Sequence, residues 1–268
     1  MANGLKMYHL QLLPVISGTV GFASFLNGIP IVREVLLREQ IDVVHGHFST
    51  SVTMTMVMMA AKALGVKTVV TEHTLFPFGT LETVHLNKLC KWYLKDVDAA
   101  IGVSHACKDN FVLRAKIDPN ICFTIPNAVD TSKFHPNPSL RYPLNKIIIV
   151  FVARLTARKG VDFLIDIIPE VMNKCPNAHF IIGGDGDKTP LLKELVKKYG
   201  YEDCVELVGA LKQDDVPKVL QRGHIFLNTS LTESFCLSML EAASCGLLVV
   251  GTDVGGIPEV LPAGVAYL

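Results

Sequence analysis

The sequence predicts an α/β chain made of two parallel-sheet blocks in series. Three observations carry that prediction. Short apolar, β-prone runs alternate with longer segments of helical periodicity, which is the pattern of βαβ units. A stretch rich in proline and polar residues, His135-Pro-Asn-Pro-Ser-Leu-Arg-Tyr-Pro143, interrupts the alternation once, as a linker would. The 268 residues are 50% hydrophobic, which suffices for two cores of ordinary size. The expected division is residues 1–134, a linker at 135–146, and residues 147–268.

In the first block, strands are expected at Leu5–Leu10, Ile41–His45, Lys67–Thr71, Ala99–Val103 and Cys122–Ile125, with helices between them. The richest apolar window, Met54–Leu64, is short and contains Thr55 and Lys62, so it suits a buried helix. Ser104 is placed to cap the helix that follows it, and Asn127 reads as a turn residue. In the second block, strands are expected at Ile147–Ala153, Ala178–Gly183, Val205–Val208, Ile225–Asn228 and Leu248–Gly251.

Composition excludes several functions. Twenty-five acidic and 25 basic residues balance to a net charge of zero, so no nucleic-acid partner is expected. No dense Lys/Arg run suggests attachment to an anionic membrane surface. Seven cysteines without a C-x-x-C pair suit reduced thiols in a cytosol-facing protein, with Cys90 and Cys236 as small packing residues. No window holds eighteen uninterrupted apolar residues, so no membrane span is expected. The apolar segment from Leu10 is broken by Pro14, Ser17 and Gly18 and offers no clear cleavage site, which argues against secretion.

The chemistry concentrates after the strands of the second block. Glu233-Ser-Phe-Cys-Leu-Ser-Met-Leu-Glu241 places two carboxylates at a strand-to-helix turn and within the helix it opens. Open α/β sheets bind ligands at such turns. The backbone N–H groups of Phe235 and Cys236, at the helix start, can hold a sugar hydroxyl or a phosphate. The plainer reading is one capping and one solvated glutamate. Upstream, Val152-Ala-Arg154-Leu-Thr-Ala-Arg158-Lys159-Gly160 follows the strand Ile147–Val152. The fork of Arg154 and the compact charge of Lys159 can neutralise a departing diphosphate, although solvated loop charges would look the same. In Gly183-Gly184-Asp185-Gly186, Gly184 allows close backbone approach to a ligand, or simply ends a strand. Asp185 and Asp187 form a literal D-x-D, which an Asp-Gly-Asp turn explains without a metal. His45-Gly-His47 suggests a metal pair, but no third ligand stands at a suitable spacing.

The E-x7-E pair Glu233/Glu241 together with the R-x4-K pair Arg154/Lys159 resembles the retaining GT-B glycosyltransferases. Further segments sharpen the likeness: Ile125–Phe134, Ile181–Gly186, Gly223–Glu233 and Val254–Pro262. They are similar to the branch that transfers N-acetylglucosamine to phosphatidylinositol and so starts glycosylphosphatidylinositol anchors. The resemblance runs along essentially the whole chain and is strongest from about Asn120 onward. It implies two Rossmann-like domains facing across a cleft, the first presenting the acceptor and the second holding the nucleotide sugar.

It also implies UDP-N-acetylglucosamine as donor, phosphatidylinositol as acceptor, and retention at the anomeric carbon. Arg154 and Lys159 would stabilise the leaving UDP in place of a metal cofactor, Glu233 would orient the sugar, and Glu241 would hold the ribose. His73, in Thr71-Glu-His-Thr74, matches the family histidine that points into the cleft near the donor sugar; a hydrogen-bonded structural histidine reads equally well. Partners would be the other members of the transferase complex, at the cytoplasmic face of the endoplasmic reticulum membrane. Against the family pattern, the chain starts inside the first domain, without its first strand and Gly-rich loop, and stops inside the second, ahead of the membrane anchor. Two other readings follow: another retaining GT-B enzyme such as a phosphatidylinositol mannosyltransferase, or an inactive chain that binds the transferase complex.

Overall fold

Apolar runs become parallel strands here, and the amphipathic stretches between them become the helices that cover those strands. The computed structural model describes residues 4–10, 14–16, 19–20, 22–78, 81–262 and 264–268. The chain divides into two units, Met1–Ile125 and Pro126–Leu268.

The first unit opens with a small antiparallel pair, β1 (Pro14–Ile16) and β2 (Thr19–Val20), then α1 (Phe22–Arg38). There follow β3 (Val43–His47), α2 (Val52–Ala63), β4 (Lys67–Glu72), α3 (Leu81–Tyr93), β5 (Ala99–Gly102), α4 (His105–Ala115) and β6 (Cys122–Thr124). Strands β3, β4, β5 and β6 pair in that order, all parallel. Their inner face packs Val44, Val70 and Ala100 against Met54, Met58, Ala61 and Phe111. The Ser51 side chain accepts from Met54 N at 3.3 Å, and Ser104 Oγ from Cys107 N at 3.0 Å, so both cap helices as their residue types favour.

The strand expected at Leu5–Leu10 does not form. Lys6 and Tyr8 instead reach the Glu39 carboxylate just beyond α1, with Tyr8 Oη donating at 2.6 Å, and Leu5 and Met7 face solvent. The segment that follows Leu10 lies partly outside the described residues. Strand β3 runs two residues later than expected, which puts both His45 and His47 on the sheet and, two residues apart, on one face.

The second unit contains β7 (Ile147–Val152), α5 (Val161–Lys174), β8 (Ala178–Gly183), α6 (Thr189–Tyr199), β9 (Val205–Gly209), α7 (Val216–Leu220), β10 (Ile225–Leu227), α8 (Leu237–Ser244), β11 (Leu248–Val250) and β12 (Ala266–Tyr267). All pairings are parallel, in the order β12-β11-β10-β7-β8-β9. The chain builds outward from β7 in one direction and then from β10 in the other, so β7 and β10 flank the point where strand order reverses.

The proline-rich segment expected as the linker is hydrogen-bonded to this second unit. Gln221 Nε2 donates to His135 O at 2.9 Å and an Arg141 nitrogen to Cys245 O at 2.8 Å. Ile148 N donates to His224 Nδ1 at 3.0 Å, so the His224 proton is on Nε2, which donates to Tyr142 O at 2.9 Å. The division between the two units falls upstream of this segment, at Ile125/Pro126. All seven cysteines are free, and Cys90 and Cys236 are buried, as packing residues should be. Among the described residues, no helix is long and apolar enough to cross a membrane.

Candidate active site

A parallel sheet delivers the loops after its strands to one edge, and where strand order reverses two of those loops diverge and leave a crevice. In the second unit the loop after β7 carries Arg154 and Lys159, and the loop after β10 carries Glu233. The two are stitched together. Thr229 Oγ1 donates to the carbonyls of Lys159 (3.0 Å) and Gly160 (2.9 Å), and Leu231 N donates to Arg158 O at 3.0 Å. Gly160 has φ +67°, and a Cβ on it would lie 1.7 Å from Thr229 O, so only glycine fits here.

Lys159 Nζ forms an ion pair with Glu233 Oε1, and Ser230 Oγ donates to the same oxygen at 2.9 Å. Glu233 is nearly buried; its backbone carbonyl also receives Gly256 N at 2.9 Å. Thr252 Oγ1 donates to Ser230 O at 2.6 Å, and Asn228 Oδ1 accepts Ser230 N at 3.0 Å. The Lys159–Glu233 pair is therefore braced by Asn228, Thr229, Ser230 and Thr252, none of which sequence reasoning singled out. The polar triplet Asn-Thr-Ser directly after an apolar strand was the available signal. Arg154 is exposed, and its side chain pairs with no described residue.

Helix α8 begins at Leu237, two residues later than the expected start. Cys236 precedes it in the left-handed region, at φ 61° and ψ 69°. The backbone N–H groups of Phe235 and Cys236 find no acceptor among the described residues, while both side chains are buried. The Cys236 thiol receives Asn228 Nδ2 at 3.1 Å, and burial, with Glu233 nearby, pushes its pKa up to about 11. It is thus a neutral packing group at pH 7. Glu241, one turn further along α8, is half-buried, and its carboxylate meets no hydrogen-bond donor among the described residues; burial raises its pKa. A dehydrated carboxylate with open acceptor positions suits a ligand that brings hydroxyl donors.

Gly184 has φ +128°, and a Cβ there would sit 1.8 Å from Ala153 O. Its freedom is thus spent on close approach to the loop that carries Arg154, whatever ligand also approaches. Leu155, Gly184, Asp185 and Gly209 border a hollow of about 180 Å³ at the ends of β8 and β9. Asp185 closes its own turn: Oδ1 accepts from Thr189 Oγ1 at 2.6 Å and Gly186 N at 2.8 Å, and these bonds, Thr189's first, lower its pKa.

In the first unit His73 lies just past β4. His47 Nδ1 and His73 Nε2 are 2.9 Å apart, the rings stack at 5.2 Å, and Phe48, itself at φ 62°, covers His73 at 4.9 Å. Burial, then His47, lowers the His73 pKa, so it is neutral near pH 7. His45 Nε2 lies 2.7 Å from Thr71 Oγ1. Below these rings Glu72 Oε1 accepts from the backbone of His73 (2.9 Å) and Thr74 (3.1 Å), and Oε2 meets Arg114 and Ser49. Sequence reasoning missed this fully buried pair, whose partners are 42 residues apart.

Residues 146–268 match the family profile described as glycosyl transferases group 1, and residues 1–80 match PIGA (GPI anchor biosynthesis). Over all 268 residues the chain is 47% identical to a phosphatidylinositol N-acetylglucosaminyltransferase subunit from Arabidopsis thaliana, and 46% identical to the one of the same name from Homo sapiens. It spans 60% and 55% of those proteins' lengths. Anabaena HepE, solved with UDP, superposes with a TM-score of 0.76 at 21% identity, over 89% of this chain and 68% of that one. Sucrose-phosphate synthase of Thermosynechococcus elongatus gives 0.75 at 18%, over 96% and 68%. At these identities the structural likeness is one of fold.

Proposed function

This chain belongs to the PIGA family of phosphatidylinositol N-acetylglucosaminyltransferase subunits and has the GT-B glycosyltransferase fold, and on that premise we propose that it transfers N-acetylglucosamine from UDP-N-acetylglucosamine to phosphatidylinositol with retention. That transfer would be the first step of glycosylphosphatidylinositol anchor synthesis. The observation that carries the reading is the braced Lys159–Glu233 pair at the strand-order reversal, with Arg154, which pairs with no described residue, on the same loop as Lys159. The anomeric C–O bond to the diphosphate breaks as the inositol hydroxyl attacks from the same face, and the proton passes to the leaving phosphate. Arg154 and Lys159 take the growing negative charge, so no metal cofactor is needed. Glu233, held by Lys159 and Ser230, orients sugar hydroxyls, while Glu241 receives the ribose and the free N–H groups of Phe235 and Cys236 meet the donor. Gly184 lines the donor side, and neutral His73 serves the reacting sugar. The remaining members of the transferase complex would be its partners, at the cytoplasmic face of the endoplasmic reticulum.

Titration calorimetry tests the donor assignment. UDP-N-acetylglucosamine should bind with equal affinity in EDTA and in magnesium; binding only with magnesium would overturn the metal-free site. Glu241→Gln should weaken binding by about tenfold to a hundredfold, the cost of one or two charge-assisted hydrogen bonds. The same variant should melt higher at neutral pH. Glu241's folded pKa lies above its unfolded value, so ionisation costs stability once pH rises through that interval, and glutamine removes the cost. Below the unfolded carboxylate range the two proteins should melt alike.

A further inference from the structure

Helix α3 exposes large apolar side chains that an ordinary surface helix would bury. Its core-facing stripe buries Thr83 and Asn87 beside Cys90, Tyr93 and Leu94, while its solvent stripe exposes Val84 (38%), Leu89 (47%) and Trp92 (63%). Interleaved with these apolar residues are His85 and Lys88, both exposed, and the half-exposed Lys91, while the exposed Lys95 lies in the turn just past the helix. Residues 83–95 contain three lysines, flanked by Glu82 at the start of the helix and by the exposed Asp96 just past Lys95. Among the described residues none of the three lysines forms an ion pair. Leaving a tryptophan and a leucine in water forgoes burial energy that a helix of this length would ordinarily gain.

We propose that this face of α3 seats on an anionic lipid surface. The charge pattern selects that occupant. Mixed basic and apolar side chains on one helix face are what an interfacial helix needs: Trp92 and Leu89 enter the headgroup boundary, and Lys88, Lys91 and Lys95 extend along it to lipid phosphates. Protein interfaces are depleted in lysine, so three lysines around one tryptophan fit a protein partner poorly. None of these residues is given a role in donor binding, and the proposal goes beyond the proposed transfer.

Trp92 is the chain's single tryptophan, so its fluorescence reports on α3 alone. The 268-residue chain is titrated with vesicles of phosphatidylcholine containing phosphatidylserine, which supplies charge without the proposed acceptor, and with vesicles of phosphatidylcholine alone. With the anionic vesicles the emission should shift to the blue and be quenched by brominated acyl chains, and added salt should reverse both effects. Each lysine-to-glutamine change should weaken binding about fivefold, and Lys88→Gln/Lys91→Gln/Lys95→Gln together about a hundredfold. Circular dichroism of that triple variant confirms that it is folded. No shift with anionic vesicles would overturn the proposal and give the face to a protein partner. An equal shift with phosphatidylcholine alone, or undiminished binding by the folded triple variant, would overturn it as well. Neither donor nor acceptor is present, so failure here leaves the transferase reading untouched.

Discussion

Lys159→Ala should lower the transfer rate by about a hundredfold to a thousandfold, the usual cost of deleting one group that stabilises charge in a transition state. Two losses combine. The leaving diphosphate loses a cation, and Glu233, nearly buried, loses the ammonium that fixes its position and is left to Ser230 alone. Because the lysine's charge counts most as UDP departs, the loss should fall on kcat more than on KM. Asp185→Ala should change the rate by no more than about threefold, since its carboxylate is exposed and spends its hydrogen bonds on Thr189 and Gly186 within its own turn. Steady-state kinetics on both folded variants decides the matter. Equal losses would restore Asp185-x-Asp187 as a metal site and remove the metal-free mechanism.

Arg114→Met should destabilise the first unit by about 3–5 kcal/mol, the range for stripping one partner from a buried ion pair. The guanidinium is fully buried, bonded to Glu72 and to Ser49 Oγ (2.8 Å), with its carbon 4.5 Å from the Phe76 ring centre. Removing it leaves the Glu72 carboxylate in the core without a cation. Adding Glu72→Gln should recover part of the loss, because an uncharged amide costs less to bury than a lone carboxylate. The pair also matters for the site: Glu72 ties the backbone of Ser49 to that of His73 and Thr74, and so aligns the strand ends that present His47 and His73. Chemical denaturation of the single and double variants measures both terms. A single variant as stable as the parent would contradict this account of the core.

Nine of the ten expected strands form within about two residues of where their apolar runs lie, because a strand buried on both faces announces itself by composition. Leu5–Leu10 shows the limit of that rule. Its pattern suits a strand, yet strands exist only in pairs, and no described strand pairs with it. The donor-side residues were legible as two spaced motifs, but their contact was not. Nothing in a spacing of 74 residues says that Lys159 grips Glu233, or that Gly184 yields to Ala153 rather than only to a ligand. The Glu72–Arg114 pair and the basic face of α3 were hidden for related reasons. Buried charges become partners only after folding, and lysines spread at helical spacing never form a run.

The most direct test is transfer of labelled N-acetylglucosamine from UDP-N-acetylglucosamine to phosphatidylinositol, in membranes from cells that lack their own PIGA-family protein and express this chain or its Glu233→Ala variant. Labelled lipid made by the chain, and lost or cut at least about a hundredfold in the variant, is the predicted result. No labelled lipid from folded chain present in the membranes, or equal label from both proteins, would contradict the assignment of Glu233 and its site to this transfer.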